Sequence, residues 1–282
     1  MEQKKKKDQF VIACLDREAD AATVLPMARH FAERLGKGLI VLNVSTDGQS
    51  DWLRQYRLPY VGLKGDWKTA IDGLPTAFGG VLAITAVDTT APRSSITHPA
   101  TLLRTFRDCK IAYLTVESGK WKMESGHAPA NFQLSTFNFQ LSTLLTLDHR
   151  RESKEKLIWA SYMVRFLGSK LTVAVPDYKD EGLREKLRNN LLSLKKFYTS
   201  LGIAYTTVKI PSSNFKSPDS TLIADATLAA PQSSLLIAMT TDPRERDLAD
   251  LLAGPPELRL LKASPIPILF LNQRDDLYVL CD

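Results

Sequence analysis

Two stretches of this sequence decide the fold: Val11-Ile-Ala-Cys-Leu-Asp16 and Thr143-Leu-Leu-Thr-Leu-Asp148, each an apolar run that ends in an aspartate. They lie 132 residues apart, and the same shift brings Leu35-Gly36 onto Leu167-Gly168. A continuous apolar run of this length is typical of a strand buried on both faces of a parallel sheet. Matches that keep their order and spacing without a gap indicate a tandem duplication of one domain.

Around these stretches, each half alternates apolar runs with amphipathic helical patterns. In the first half we predict strands at 10–15, 39–44, 58–63, 81–86 and 111–116, and helices at 19–35, 66–78 and 99–106. In the second half we predict strands at 144–147, 171–175, 204–210, 235–239 and 266–271, and helices at 153–167, 183–201, 220–229 and 256–262. Strands separated by helices imply βαβ crossovers, so the fold class is α/β, with open parallel sheets covered on both faces.

The length of 282 residues fits two domains of ordinary size. We place the first domain at 8–118, a linker at 119–140, the second domain at 141–273 and a C-terminal tail at 274–282. Within the linker region, Asn131-Phe-Gln-Leu-Ser-Thr136 recurs unchanged at 138–143. Such a short, perfect repeat indicates a recent sequence duplication rather than a binding motif.

Composition excludes several classes of function. The chain has 37 Lys and Arg against 31 Asp and Glu, and Lys4 to Lys7 supply four of the positive charges, so we expect a solvated basic tail and no nucleic-acid partner. Three scattered cysteines and four separate histidines give no metal-ligand spacing and no disulfide framework. Without an apolar span or a signal-peptide pattern, we expect a soluble cytoplasmic protein with no membrane contact.

The doubled order of strand, Asp, helix, Gly and strand resembles the tandem universal stress protein family. The closing segment of the second half strengthens the resemblance, because Leu252-Ala-Gly254 leads through a short helix into the Pro-rich strand from Lys262 to Leu271. The resemblance implies two Rossmann-like (adenine nucleotide alpha hydrolase-like) domains, each a five-stranded parallel sheet. In ATP-binding members of the family, the first-strand Asp contacts the nucleoside and a Gly-x2-Gly-x9-Gly-Ser/Thr loop after the fourth strand wraps the phosphates.

This sequence departs from the phosphate-binding pattern of the family. Asp16 and Asp148 match the first-strand Asp, and Gly254 can match the last glycine of the loop, but Pro255 replaces the following Ser or Thr. The other two glycine positions fall on Thr241 and Arg244, or in the other register on Thr240 and Pro243. In the first half, no glycine occurs between Gly80 and Gly119, and His98-Pro99 stands at the Gly-Ser/Thr position. Because only glycine lets the backbone approach a phosphate closely, we expect degenerate nucleotide sites in both halves.

The remaining candidate site residues each have two interpretations. Asp16 and Asp148 either contact a ligand or satisfy N–H groups at the start of the following helix. Arg244 and Arg246 either replace the lost phosphate contacts or lie in a solvated loop with local ion pairs. His149 has no positioned Ser or Cys partner, so it is no catalytic signature. The candidate binding set is therefore Asp148, Gly254, Arg244, Arg246 and Asp16, with no catalytic residue and no metal ligand.

These features favour a cytoplasmic universal stress protein that acts as a non-catalytic binding or interaction protein in stress response, without a cofactor. The alternative is an ATP- or AMP-binding member with weak or no ATPase activity. A third interpretation is a regulatory module that acts in trans on a membrane transporter. The protein partner is unknown.

The fifth predicted strand of each half, 111–116 and 266–271, should lie at the edge of its sheet. An apolar edge invites pairing with another strand, and members of the resembled family dimerise through these strands. We therefore expect the two halves to form an intramolecular pseudo-dimer.

Overall fold

A computed structural model describes residues 8–45, 51–77, 79–119, 141–149, 153–211, 233–240 and 255–272. The chain divides into two compact units, residues 1–137 and 138–282. The predicted linker from 120 onward, the predicted helix at 220–229 and the C-terminal tail lie outside the described residues.

Unit 1 contains a five-stranded parallel sheet in its described part. Its strands are β1 (Phe10–Cys14), β2 (Gly38–Ser45), β3 (Tyr60–Lys64), β4 (Gly80–Val87) and β5 (Ala112–Glu117), paired in the order β3-β2-β1-β4-β5. Its helices are α1 (Ala21–Leu35), α2 (Trp67–Ala77) and α3 (Pro99–Phe106), with short 3-10 helices at Glu18–Asp20 and Asp51–Tyr56.

Unit 2 repeats this arrangement with its own five parallel strands among the described residues. They are β6 (Ser142–Thr146), β7 (Lys170–Asp177), β8 (Thr206–Pro211), β9 (Leu235–Met239) and β10 (Ile268–Leu271), paired in the order β10-β9-β6-β7-β8. Its described helices are α4 (Ser153–Leu167), α5 (Glu181–Ser200) and α6 (Pro256–Ala263).

Burial explains why the apolar runs form the central strands. Val11 to Cys14 in β1 and Leu144 and Leu145 in β6 are buried, as strands covered by helices on both faces require. The strands β3 and β8 each lie at one edge of a sheet, and most of their side chains are exposed or half-buried. The predicted α/β fold class, with helices flanking parallel sheets, is confirmed.

The order of the strands distributes the helices over the two faces of each sheet, if each crossover has the usual right hand. In unit 1, the chain steps from β1 to β2 in one direction and from β3 through β4 to β5 in the other, which places α1 opposite α2 and α3. The helices α2 and α3 pack against each other, as α4 and α5 do in unit 2. No helix in the described ranges is both long enough and apolar enough to cross a bilayer.

The duplication is visible in the bounds of the first three elements. A shift of 132 residues places β1 on β6, α1 on α4 and β2 on β7, and in each pair the two elements then begin and end at the same positions. Gly36 and Gly168 end the two helices with positive φ angles of 63° and 67°, a conformation that costs glycine little. The two units therefore share one register up to the end of the second strand and diverge afterwards.

Candidate functional site

The candidate sites lie at the carboxyl ends of the strands, where the order of strands reverses beside the first strand of each unit. Ligands of doubly wound α/β sheets bind in the crevice that opens at this point. Asp16 lies two residues beyond β1, and Asp148 lies two residues beyond β6. The fold thus brings each predicted aspartate to the crevice of its own unit.

The Asp16 carboxylate hydrogen-bonds the backbone of the same unit. Its Oδ2 accepts from the Ile96 N–H at 2.8 Å, while its Oδ1 is buried and accepts no hydrogen bond from the described residues. Burial raises the pKa of Asp16, and the Ser95 hydroxyl and the Ile96 N–H oppose that rise. The carboxylate therefore sits in an enclosed environment that the segment around Ile96 provides.

The interpretation of Asp16 as a helix-start residue is wrong. A 3-10 helix at Glu18–Asp20 separates Asp16 from α1, and the N-cap residue of α1 is Asp20. Asp16 instead reaches across to Ile96, which lies 80 positions away in the chain. Its role is to hold two distant segments together.

We call residues 88–98 the β4–α3 loop, since they connect these two elements. Ile96 and Thr97 in this loop are 0% exposed, and Ser95 is 4% exposed. The Asp88 N–H donates to the Thr97 carbonyl at 2.9 Å, and the hydroxyls of Ser95 and Thr97 lie 2.7 Å apart. The loop thus folds onto itself and buries its residues from Ser95 to Thr97.

A partly buried ion network anchors the start of this loop. The Arg17 guanidinium donates to both oxygens of Asp20 at 2.7 and 3.0 Å and to Asp88 Oδ2 at 2.9 Å. Asp20 is 0% exposed and also accepts from the Ser118 hydroxyl at 2.6 Å. Hydrogen bonds from the Thr90 hydroxyl and N–H, together with Arg17, lower the pKa of Asp88.

Sequence reasoning missed this network. Arg17 and Asp20 could have been found from the sequence, because they stand three positions apart, a spacing that allows an ion pair, and Arg17 directly follows Asp16. Asp88 and Ser118 could not have been found in this way, since they meet Arg17 and Asp20 only through the order of strands β1, β4 and β5.

In unit 2, Asp148 is 5% exposed, and its main-chain carbonyl accepts from Asn190 Nδ2 at 2.8 Å. The next residue, His149, pairs through Nδ1 with the Tyr178 hydroxyl at 2.8 Å. The other predicted site residues of this unit, Arg244, Arg246 and Gly254, lie outside the described residues.

Both helices that follow the predicted phosphate loops begin with proline. Pro99 is the first residue of α3 after the N-cap His98, and Pro256 is the first residue of α6 after the N-cap Pro255. A helix N-terminus binds anions through its free N–H groups, and proline has none. The helix ends that would face a phosphate therefore each lack a backbone donor.

The described residues offer few groups for other chemistry. They contain no cluster of three or more His, Cys, Asp or Glu that could hold a metal ion. Cys14 and Cys109 are buried free thiols, and burial strongly raises the pKa of Cys14. Because the thiolate is the nucleophilic form, Cys14 is not an activated nucleophile.

No protein-family model and no curated protein matches the sequence. Solved structures match nearly the whole chain. A universal stress protein from Archaeoglobus fulgidus DSM 4304 superposes with a TM-score of 0.62 at 12% identity, over 95% of this chain and 97% of its own. A functionally unknown protein from Pseudomonas aeruginosa PAO1 gives a TM-score of 0.59 at 13% identity, over 97% of this chain and 95% of its own.

A third structure, of a protein assigned to the universal stress proteins in Pseudomonas aeruginosa UCBPP-PA14, gives a TM-score of 0.57 at 14% identity. It covers 94% of this chain and 93% of its own. At such identities a structural likeness establishes the fold, and it extends here over both units. This chain has the fold of the universal stress proteins, as the doubled order of features in its sequence predicts.

Proposed function

We propose that this chain is a non-catalytic binding protein of the universal stress type, which acts in the cytoplasm through a protein partner in stress response. It does so without a nucleotide cofactor, because its ancestral nucleotide sites are degenerate.

The single observation that carries this proposal is the hydrogen bond from the Ile96 N–H to the Asp16 carboxylate at 2.8 Å. The carboxylate that would contact a nucleoside in an ATP-binding member is here bound to the β4–α3 loop. Ile96 and Thr97 are 0% exposed, so opening this crevice requires that buried residues move into water.

The prolines at the starts of α3 and α6 support the same conclusion. Removing backbone hydrogen bonds to a phosphate costs about 1 kcal/mol each, and up to about 3 kcal/mol for a charged acceptor. Two or three losses amount to roughly 3–6 kcal/mol, which weakens a micromolar site to about 0.1 mM or worse.

One observation favours the alternative, an ATP- or AMP-binding protein with weak or no ATPase activity. Asp148 stays at the carboxyl end of β6, and the Arg244 and Arg246 guanidinium groups are present in the sequence to replace backbone donors. If a nucleotide site persists, it belongs to unit 2.

Native mass spectrometry of the full chain, purified without added nucleotide, separates the two functions. The proposed function predicts a single species at the 31.4 kDa mass of the polypeptide. A stoichiometric adduct with the mass of ATP or AMP, released on denaturation, would establish the alternative. Incubation with ATP should release no phosphate above the rate without protein.

A further inference from the structure

The outer face of helix α5 and the strand that follows it carry an excess of positive charge. Between Glu185 and Asp219 the sequence contains no acidic residue. The described part of this stretch contains five basic residues, all with exposed side chains: Lys186, Arg188, Lys195, Lys196 and Lys209. None of the ion pairs found between described residues includes one of them. The stretch therefore presents positive charge to the solvent.

The opposite face of α5 holds the helix in unit 2. Leu187, Leu194 and Tyr198 are buried, and the Tyr198 hydroxyl donates to the Leu157 carbonyl of α4 at 3.1 Å. Packing of a buried face is the main source of stability for an amphipathic helix. The charges of the outer face are therefore not needed to hold α5 in place.

A large apolar side chain lies within this charged face. Leu192 is 59% exposed, the highest value for a large hydrophobic residue in the described part of the chain. Arg188 lies one turn before it, and Lys195 and Lys196 lie about one turn after it, so spacings of three and four place these side chains on one face. We call these four residues the α5 patch.

Unit 1 has no such excess at the corresponding place. Its segment between β2 and β3, residues 46–59, contains two acidic and two basic residues: Asp47, Asp51, Arg54 and Arg57. Arg54 and Asp51 form an ion pair at 3.1 Å. The repeated fold thus does not require unbalanced charge between its second and third strands, and the α5 patch is a property of unit 2.

We propose that the α5 patch binds an acidic segment of a protein partner, with an apolar side chain between its carboxylates. The carboxylates complement the three cations, and the apolar side chain removes Leu192 from water. This inference rests on the proposed function, which gives the chain a protein partner.

Two observations favour a protein over other anionic partners. A nucleic acid would meet the patch through its phosphates, which leaves Leu192 without an apolar contact. A helix that lies on a membrane buries its apolar face in the lipid, but the apolar residues Leu187, Leu194 and Tyr198 of α5 are already buried in unit 2.

Fluorescence anisotropy of a labelled peptide tests the proposal on the full chain. The peptide has the 20-residue length of α5, with leucine at every fourth position and glutamate elsewhere. Wild type should bind it, and added salt should weaken the binding, since exposed charges are screened. A triple variant, Arg188→Gln, Lys195→Gln and Lys196→Gln, should bind about tenfold more weakly. It should fold, because glutamine has a helix propensity close to those of arginine and lysine.

A second triple variant removes the same charge elsewhere. Lys64→Gln, Arg104→Gln and Lys110→Gln change exposed basic residues of unit 1 and should leave the affinity at the wild-type value. Leu192→Gln should weaken binding of the peptide several-fold, and should not affect a peptide with serine in place of leucine. No binding by wild type, or an equal affinity of the two triple variants, would overturn the proposal.

The same titration with vesicles of phosphatidylcholine and phosphatidylserine, and with duplex DNA, tests the other anionic partners. Weaker binding of both supports a protein partner. Tighter binding of either one than of the peptide, lost in the first triple variant, would contradict it. A chain that carries a nucleotide and binds the peptide through the α5 patch contradicts the proposed function alone. A chain without nucleotide that does not bind the peptide contradicts the present inference alone.

Discussion

At the scale of single residues, Asp16 connects two segments of unit 1 that lie 80 positions apart in the chain. Its Oδ2 is occupied by the Ile96 N–H at 2.8 Å, and its Oδ1 is buried without a hydrogen bond from the described residues. A carboxylate placed in this way is stabilised less well than in water, which is why burial raises its pKa.

The first prediction concerns Asp16→Asn, which keeps the shape and removes the charge. An acid with a raised pKa in the folded state binds its proton more tightly when folded, so the free energy of unfolding falls as the pH rises through that pKa. The unfolding free energy of Asp16→Asn relative to wild type should therefore increase from about pH 4 upward and then level off.

Urea denaturation at several pH values measures this difference. Asp66 provides a control of opposite sign, because hydrogen bonds from the Thr69 N–H and hydroxyl lower its pKa. The free energy of unfolding of wild type should increase relative to that of Asp66→Asn as the pH rises toward about 4, and should stay constant above it. A relative stability of Asp16→Asn that decreases with pH would show that the carboxylate is well compensated.

The second prediction concerns Arg17, which neutralises the fully buried Asp20 and ties it to Asp88. Arg17→Met leaves the Asp20 carboxylate buried without its cation, so the free energy of unfolding should fall by about 3 kcal/mol. Arg54→Met is the matched control, because Arg54 and its partner Asp51 have side chains that are 72% and 78% exposed. It should cost less than about 0.5 kcal/mol in the same urea titration. Equal losses in the two variants would mean that the network around Asp20 contributes nothing specific.

At the scale of elements, periodicity and spacing predict most of the structure. The predicted helices at 99–106 and 153–167 have the bounds found for α3 and α4, and the duplicated register holds through three elements. The pattern of apolar residues is enough to predict these helices and strands, because each is formed by one contiguous stretch of sequence. It does not suffice for the site, since Asp16 with Ile96 and Asp20 with Ser118 are brought together only by the pairing of strands.

The two units also show where spacing stops being informative. Between the second and third strands, unit 1 has the 3-10 helix Asp51–Tyr56, whereas unit 2 has the 20-residue helix α5. A shift of 132 residues therefore no longer relates the halves beyond β2 and β7. Each half has to be predicted from its own pattern from this point on.

The third prediction concerns the start of α5. Asp180 Oδ1 accepts from the Leu183 N–H at 2.8 Å and so satisfies one of the free donors of the first turn. Asp180→Ala should lower the free energy of unfolding by about 1 kcal/mol, and Asp180→Ser, which can still cap, by much less. Thermal unfolding of the two variants measures the difference. Equal stability of the Ala and Ser variants would show that the cap does not limit stability.

At the scale of the whole molecule, the pairing of the fifth strands within one chain stays a prediction from the sequence. It rests on two apolar strands, β5 and β10, each the last strand of its unit's sheet. An apolar edge strand left exposed tends to pair with a strand of another chain. If the prediction holds, a fragment of residues 1–120 should dimerise or aggregate, which size-exclusion chromatography with light scattering detects. A monomeric, well-folded fragment would contradict it.

We propose that neither crevice binds nucleotide, and calorimetric titration of the full chain with ATP is the measurement that decides this. At tens of micromolar protein we expect no saturable heat, because the absence of backbone donors would weaken a micromolar site to about 0.1 mM or worse. A triple variant, Thr240→Gly, Pro243→Gly and Pro255→Ser, should regain part of the binding, since it restores loop glycines and the hydroxyl before α6. Saturable binding of ATP by wild type with a Kd below about 10 µM would contradict the claim.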